Sequence, residues 1–147
     1  MTVKPETNFW KSVKKLLESG VDRFLFSRVE SYVTPGFPDC LVFHKKTGFF
    51  TIELKIIQPN GKVRISPLQT AWNKWYGGNG AQTFIMVDML NKQEGEEGRH
   101  VKVFPGLLAQ ELRDKGPHSV PGVYEGGLTA LGQVRIWQKI IANSQTP

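Results

Sequence analysis

Asp39, Glu53 and Lys55 stand at or inside segments that should be uniformly apolar. The run Phe49-Phe50-Thr51-Ile52-Glu53-Leu54-Lys55-Ile56-Ile57 is rich in β-branched and aromatic residues and reads as an interior strand. Two charges interrupt it. Side chains alternate faces along a strand, so Glu53 and Lys55 share one face while Ile52, Leu54 and Ile56 take the core-facing one. An ionised group removed from water costs several kcal/mol unless it is paired or metal-bound. A strand that carries both charges therefore needs a chemical reason for them.

The segment before it supplies a third group. Cys40 to His44 reads as a strand, Lys45-Lys46-Thr47-Gly48 as its turn, and the two strands form an antiparallel hairpin. Asp39 then sits at the mouth of the first strand, close to the Glu53 to Lys55 stretch of the second. Pro38 cannot donate to a ladder and marks a strand start, and Gly36 allows a tight approach of the chain before it. Two converging acidic oxygens are what a hard cation such as Mg²⁺ requires. Beside such a cation Lys55 would orient a water nucleophile or neutralise charge developing on a phosphate.

Pro38-Asp39 followed by Glu53-Leu54-Lys55 resembles the two halves of the PD-(D/E)xK nuclease signature, and the resemblance covers about residues 5 to 87. It implies a restriction-endonuclease-like α/β core, a mixed central sheet flanked by helices. It implies further that Asp39, Glu53 and the Leu54 carbonyl hold Mg²⁺ or Mn²⁺ and that Lys55 assists catalysis. Many members place a glutamate on the first helix facing the metal; Glu6 matches that position, at a separation from Asp39 similar to that in archaeal-type Holliday-junction resolvases. In the virus-type replication-repair branch a glutamine on the helix after the catalytic strand helps hold the site, and Gln69 matches it.

The flanking elements are legible on their own terms. Phe9, Val13, Leu16 and Leu17, with Trp10 beside them, recur at helical spacing over residues 5 to 19. Glu6 falls on that stripe, where a first-turn acid is also favoured by the helix dipole. Lys11, Lys14, Lys15 and Glu18 fall on the solvated side, Lys14 and Glu18 as an i,i+4 pair. After the Pro59-Asn60-Gly61 turn and an expected strand at 62 to 65, Ser66-Pro67-Leu68-Gln69 signals a helix start with Gln69 closing a capping box. Gly77-Gly78 ends that helix. Trp72, Trp75 and Tyr76 are expected to pack in the core or against the sheet, with base-stacking platforms as the alternative. Strands follow at 83 to 87 and 101 to 104, with an exposed connection between them. A short helix is expected at 107 to 115, a loop at 116 to 127, and an amphipathic helix at 128 to 141 that could cap the core, contact DNA or pair two subunits.

The chain of 147 residues carries a net charge of +6, with a pI near 9.6, which favours a polyanionic partner. Arg28, Glu30 and Tyr32 share one face of the segment leading to Pro38; Arg28 would clamp phosphate, and Glu30 is an alternative to Glu6 as the extra acid. Arg28, Tyr32, Lys45, Lys46, Lys62 and Arg64 are the candidate contacts to a nucleic-acid backbone, with Arg23 and the lysines of the first helix further out. The single cysteine, Cys40, rules out an intrachain disulfide and suits a reducing cytoplasm. No secretion signal or membrane span is indicated. His44, His100 and His118 lack zinc spacing, and no Gly-rich nucleotide loop or nucleophile elbow occurs. The expectation is one domain over residues 1 to 147, a Mg²⁺- or Mn²⁺-dependent DNA endonuclease acting on branched DNA such as a Holliday junction, as a symmetric homodimer. Restriction-like cutting of a defined sequence and a non-catalytic basic nucleic-acid-binding module are the alternatives.

Overall fold

The computed structural model describes residues 5–29, 35–91 and 98–144, the side chains of residues 5–7 excepted. Among these the chain forms a mixed sheet of six strands in the order β1 to β6, flanked by helices. Helix α1 (Pro5–Ser19) leads into the antiparallel meander β1 (Leu25–Arg28), β2 (Cys40–His44) and β3 (Gly48–Ile56). Helix α2 (Pro67–Gly78) then crosses over, and β4 (Thr83–Asp88) lies parallel to β3. This is the helix, strands, helix, strand succession expected from the sequence. The C-terminal third continues the same sheet with β5 (His100–Pro105) and β6 (Tyr124–Gly127), both antiparallel to their neighbours. It also adds α3 (Ala109–Lys115) and α4 (Val134–Ser144).

The sheet is covered on both faces, so β3 is buried from Phe50 to Ile56 regardless of which way a side chain points. One face packs Phe50, Ile52, Leu54 and Ile56 with Phe9, Val13 and Leu17 of α1 and with Trp137 and Ile140 of α4. The opposite face packs Ile85, Val87 and Phe104 with Val63, Ile65 and Leu112 of α3. Glu53 and Lys55 belong to this second, α2-covered face, and the alternation expected along β3 holds. The tail helix therefore caps the core, the first of its three expected roles.

Four local expectations need correction. Residues 62–65 form no strand: Val63 and Ile65 alternate inward as expected, but β4 already pairs with β3 and β5, leaving no ladder edge there. Tyr124–Gly127, expected as loop, pairs with β5 because that edge is open to it. The helix expected at 128–141 is split into a 3-10 turn (Leu128–Gly132) and α4. Gly132 sits against Leu16 of α1, where an added Cβ would lie 3.2 Å from Leu16 Cδ1, and the Val134 N–H donates to Asp22 Oδ2 at 2.7 Å, capping the new helix. Trp72 is buried, but Trp75 and Tyr76 stand 71% and 45% exposed.

Candidate active site

Two ladders diverge at the point where Asp39 meets β3. Pairing of β2 with β3 stops at Cys40 opposite Ile52, whereas pairing of β3 with β4 runs on to Ile56 opposite Asp88. Thr51 and Ile57 donate their N–H groups to the β4 side, to Gln82 and Asp88 carbonyls. The even-numbered residues therefore direct their backbone groups to the β2 side. At Leu54 that side has no strand left, and the Asp39 carboxylate takes its place: Leu54 N–H donates to Asp39 Oδ2 at 3.0 Å. The Leu54 carbonyl is directed to the same side by the same alternation.

Glu53 answers in kind. The Asp39 N–H donates to Glu53 Oε2 at 3.2 Å, so each acid is held by the other residue's strand. On the other side of the carboxylate, Gln69 Nε2 donates to Glu53 Oε1 at 2.6 Å, and Lys55 Nζ lies 3.5 Å from the same oxygen. Lys55 Nζ also donates to Gln69 Oε1 at 2.9 Å. Gln69 is thus a bridge between the acid and the amine. It serves the helix as well, since its Oε1 accepts from Ser66 N–H and its own N–H donates to Ser66 Oγ. One rotamer of Gln69 thus makes the capping bond to Ser66 and the bonds to Glu53 and Lys55.

Loop 35–38 is pinned against α2 to bring Asp39 in. Gly36 has φ +86°, and a Cβ there would stand 2.4 Å from the Leu68 carbonyl oxygen in the first turn of α2. Only glycine fits that approach. Phe37 follows, edge-on to Trp72 with ring centroids 5.1 Å apart.

Glu53 is 1% exposed. Burial, then the neighbouring Asp39 charge, raise its pKa to about 8, against the pull of Lys55 and the Asp39 N–H. Burial and the same Asp39 charge push the Cys40 thiol up, so it is a packed, unreactive group. A cation bound beside Glu53 would favour its ionised form. The two carboxylates offer oxygen donors, the kind a hard cation takes. Among the described residues no cluster of three or more His, Cys, Asp or Glu is assembled.

The remaining candidates separate. Glu6 lies on α1, but its side chain is outside the described residues, as are Glu30 and Tyr32. Arg28 ends β1 opposite Cys40, next to Asp39, with its guanidinium 4.5 Å over the Trp10 ring. Lys45 and Lys46 occupy the far turn of the hairpin, about 15–20 Å along the strand from Asp39, and the fold does not bring them to the site. Lys14 is paired with Glu18 at 2.6 Å as expected. Lys62 and Arg64 do reach the site: with Lys55 and Gln69 they line one groove of about 820 Å³. Arg113 of α3 lines it too. No sequence signal marked Arg113, which lies on α3, 44 residues beyond Gln69, and arrives through tertiary packing alone. No protein-family model, curated protein or solved structure matches the chain.

Proposed function

We propose that the chain is a Mg²⁺- or Mn²⁺-dependent endodeoxyribonuclease of the PD-(D/E)xK type, with a restriction-endonuclease-like core, that acts on branched DNA as a two-fold homodimer. The observation that carries this is the meeting of Asp39, Glu53 and Lys55 across the end of the β2–β3 ladder, tied together by Gln69. The meander, crossover helix and parallel strand around it support the same reading.

Asp39, Glu53 and the Leu54 carbonyl would hold the metal, which when bound polarises the scissile phosphate and acidifies a water. Burial raises the Glu53 pKa to about 8, so the ionised carboxylate a metal needs would be favoured by the cation itself and by higher pH. Lys55, held by Gln69 Oε1, keeps its ammonium fixed where an attacking water or a phosphate oxygen would lie, so little reorganisation is needed during reaction. Lys62 and Arg64 supply fixed positive charge for the flanking backbone.

One observation favours the rival reading, a binding module that does not cut: both Glu53 oxygens are already engaged by protein donors. Incubation with labelled linear duplex, single-stranded, flap and four-way-junction DNA, with Mg²⁺, Mn²⁺ or chelator, decides between them. Metal-dependent cutting that is lost in Asp39→Asn and Glu53→Gln while DNA binding persists is the expected result, with paired symmetric nicks on the junction. DNA retained yet uncut in every form and with either metal would establish the binding module instead.

A further inference from the structure

Resting on the nuclease reading, we propose that the DNA strand leaving the acidic centre along α2 is held unpaired, its phosphates on Lys62, Arg64, Arg113 and Lys74 and one base stacked on Trp75. The groove beside Lys55 and Gln69 does not end at Arg113. A second hollow of about 470 Å³ shares Pro67 and Arg113 with it and is lined further on by Lys74 and Trp75 of α2 and by Gln110 of α3. Among the described residues no acidic side chain lines either hollow. Among the described residues the side chains of Lys62, Arg64, Lys74 and Arg113 make no ion pair or hydrogen bond, the bond from Lys62 to Asn60 Oδ1 coming from its backbone N–H. Four uncompensated cations in one continuous depression form a field suited to a polyanionic chain.

Trp75 gives that chain its form. An indole is normally mostly buried, yet this one is 71% exposed at the far end of the track, with the Tyr76 ring centroid 6.0 Å from its own. Duplex DNA keeps its interior base faces inside the stack, so along a DNA strand it is an unpaired base that offers a face for the exposed indole. The charge track selects a backbone, and the aromatic end selects an unpaired one.

The test uses the full-length protein in chelator, where nothing is cut, and fluorescence anisotropy over a range of salt concentrations. The probes are an oligothymidylate of about twelve nucleotides and a blunt duplex of equal length. Trp75→Ala is expected to weaken oligothymidylate binding roughly tenfold and leave duplex binding unchanged, with Trp75→Phe restoring the loss. The double variant Arg64→Ala/Arg113→Ala is expected to reduce the log–log salt slope on the single strand by about 1.4, two phosphate contacts' worth. Lys139→Ala on α4 serves as the control and changes neither. Equal losses on both probes for Trp75→Ala, or an unaltered salt slope in the double variant, overturns the proposal. So does unchanged single-strand binding accompanied by a drop in sedimenting mass, which would assign Trp75 to a contact between two copies of the chain. A protein that binds as stated but cuts nothing with Mg²⁺ keeps the track and loses only the catalytic reading.

Discussion

At Glu53, removal from water and then the Asp39 charge outweigh Lys55 and the Asp39 N–H and raise the pKa to about 8. The consequence for stability has a definite sign. The unfolded chain releases this proton near pH 4.5 and the folded one near pH 8, so across that window the folded state binds the extra proton. Stability of the metal-free protein is therefore full below about 4.5, falls as pH rises toward about 8, and levels off beyond it. The whole change is on the order of several kcal/mol. Thermal melts in chelator from pH 5 to 9 should show this fall in the wild type and a much flatter profile in Glu53→Gln. Because a divalent ion needs the ionised carboxylate, the rise in Tm on adding Mn²⁺ should be larger at pH 8 than at pH 6. Parallel pH profiles for wild type and Glu53→Gln would remove Glu53 as the titrating group.

At the scale of elements, α2 begins where it does because Ser66, Pro67 and Gln69 form a complete N-terminal cap, and the same start delivers Gln69 to the acid and the amine. These two jobs can be separated. Ser66→Ala removes the cap acceptor and is expected to cost about 1 kcal/mol with cleavage nearly intact. Gln69→Ala leaves the Ser66 cap but removes the side-chain half of the capping box and both site bonds, and is expected to cost about 2–3 kcal/mol and to lower cleavage by roughly one to two orders of magnitude. Equal cleavage in the two variants would reduce Gln69 to a capping residue. This helix was also among the most legible parts of the sequence, since a capping box is a local code. The acids of β2 and β3 were legible for the same reason: charges break an otherwise apolar run within a short hairpin. What the sequence could not announce depends on partners far along the chain. Tyr124–Gly127 has weak strand propensity and pairs because β5 offers an edge. Val63 and Ile65 carry a strand's alternation with no ladder to join. Arg113 enters the groove only because α3 packs beside α2.

The molecule as a whole divides its work between the two faces of one sheet. The face under α2 and α3 carries Glu53, Lys55 and the basic groove; the face under α1 and α4 carries Phe9, Phe50, Phe84 and Trp137. Trp137 is fully buried there, its ring centroid 4.5 Å from Phe50 and 5.8 Å from Phe84, and its Nε1 donates to the Leu131 carbonyl at 2.8 Å. Strand β3 separates it from the chemistry: Phe50 points one way and Glu53 the other. Trp137→Ala should therefore cost about 3–5 kcal/mol, a large share of a domain's stability, and lower Tm by roughly 10–15 °C. Assayed well below that Tm, it should still cut DNA with a rate close to wild type. Asp39→Asn should do the reverse, with an unreduced Tm in chelator and no cutting. If a folded Trp137→Ala protein lost cleavage as completely as Asp39→Asn, the sheet would not insulate one face from the other. The tail helix would then belong to the site as well as to the core.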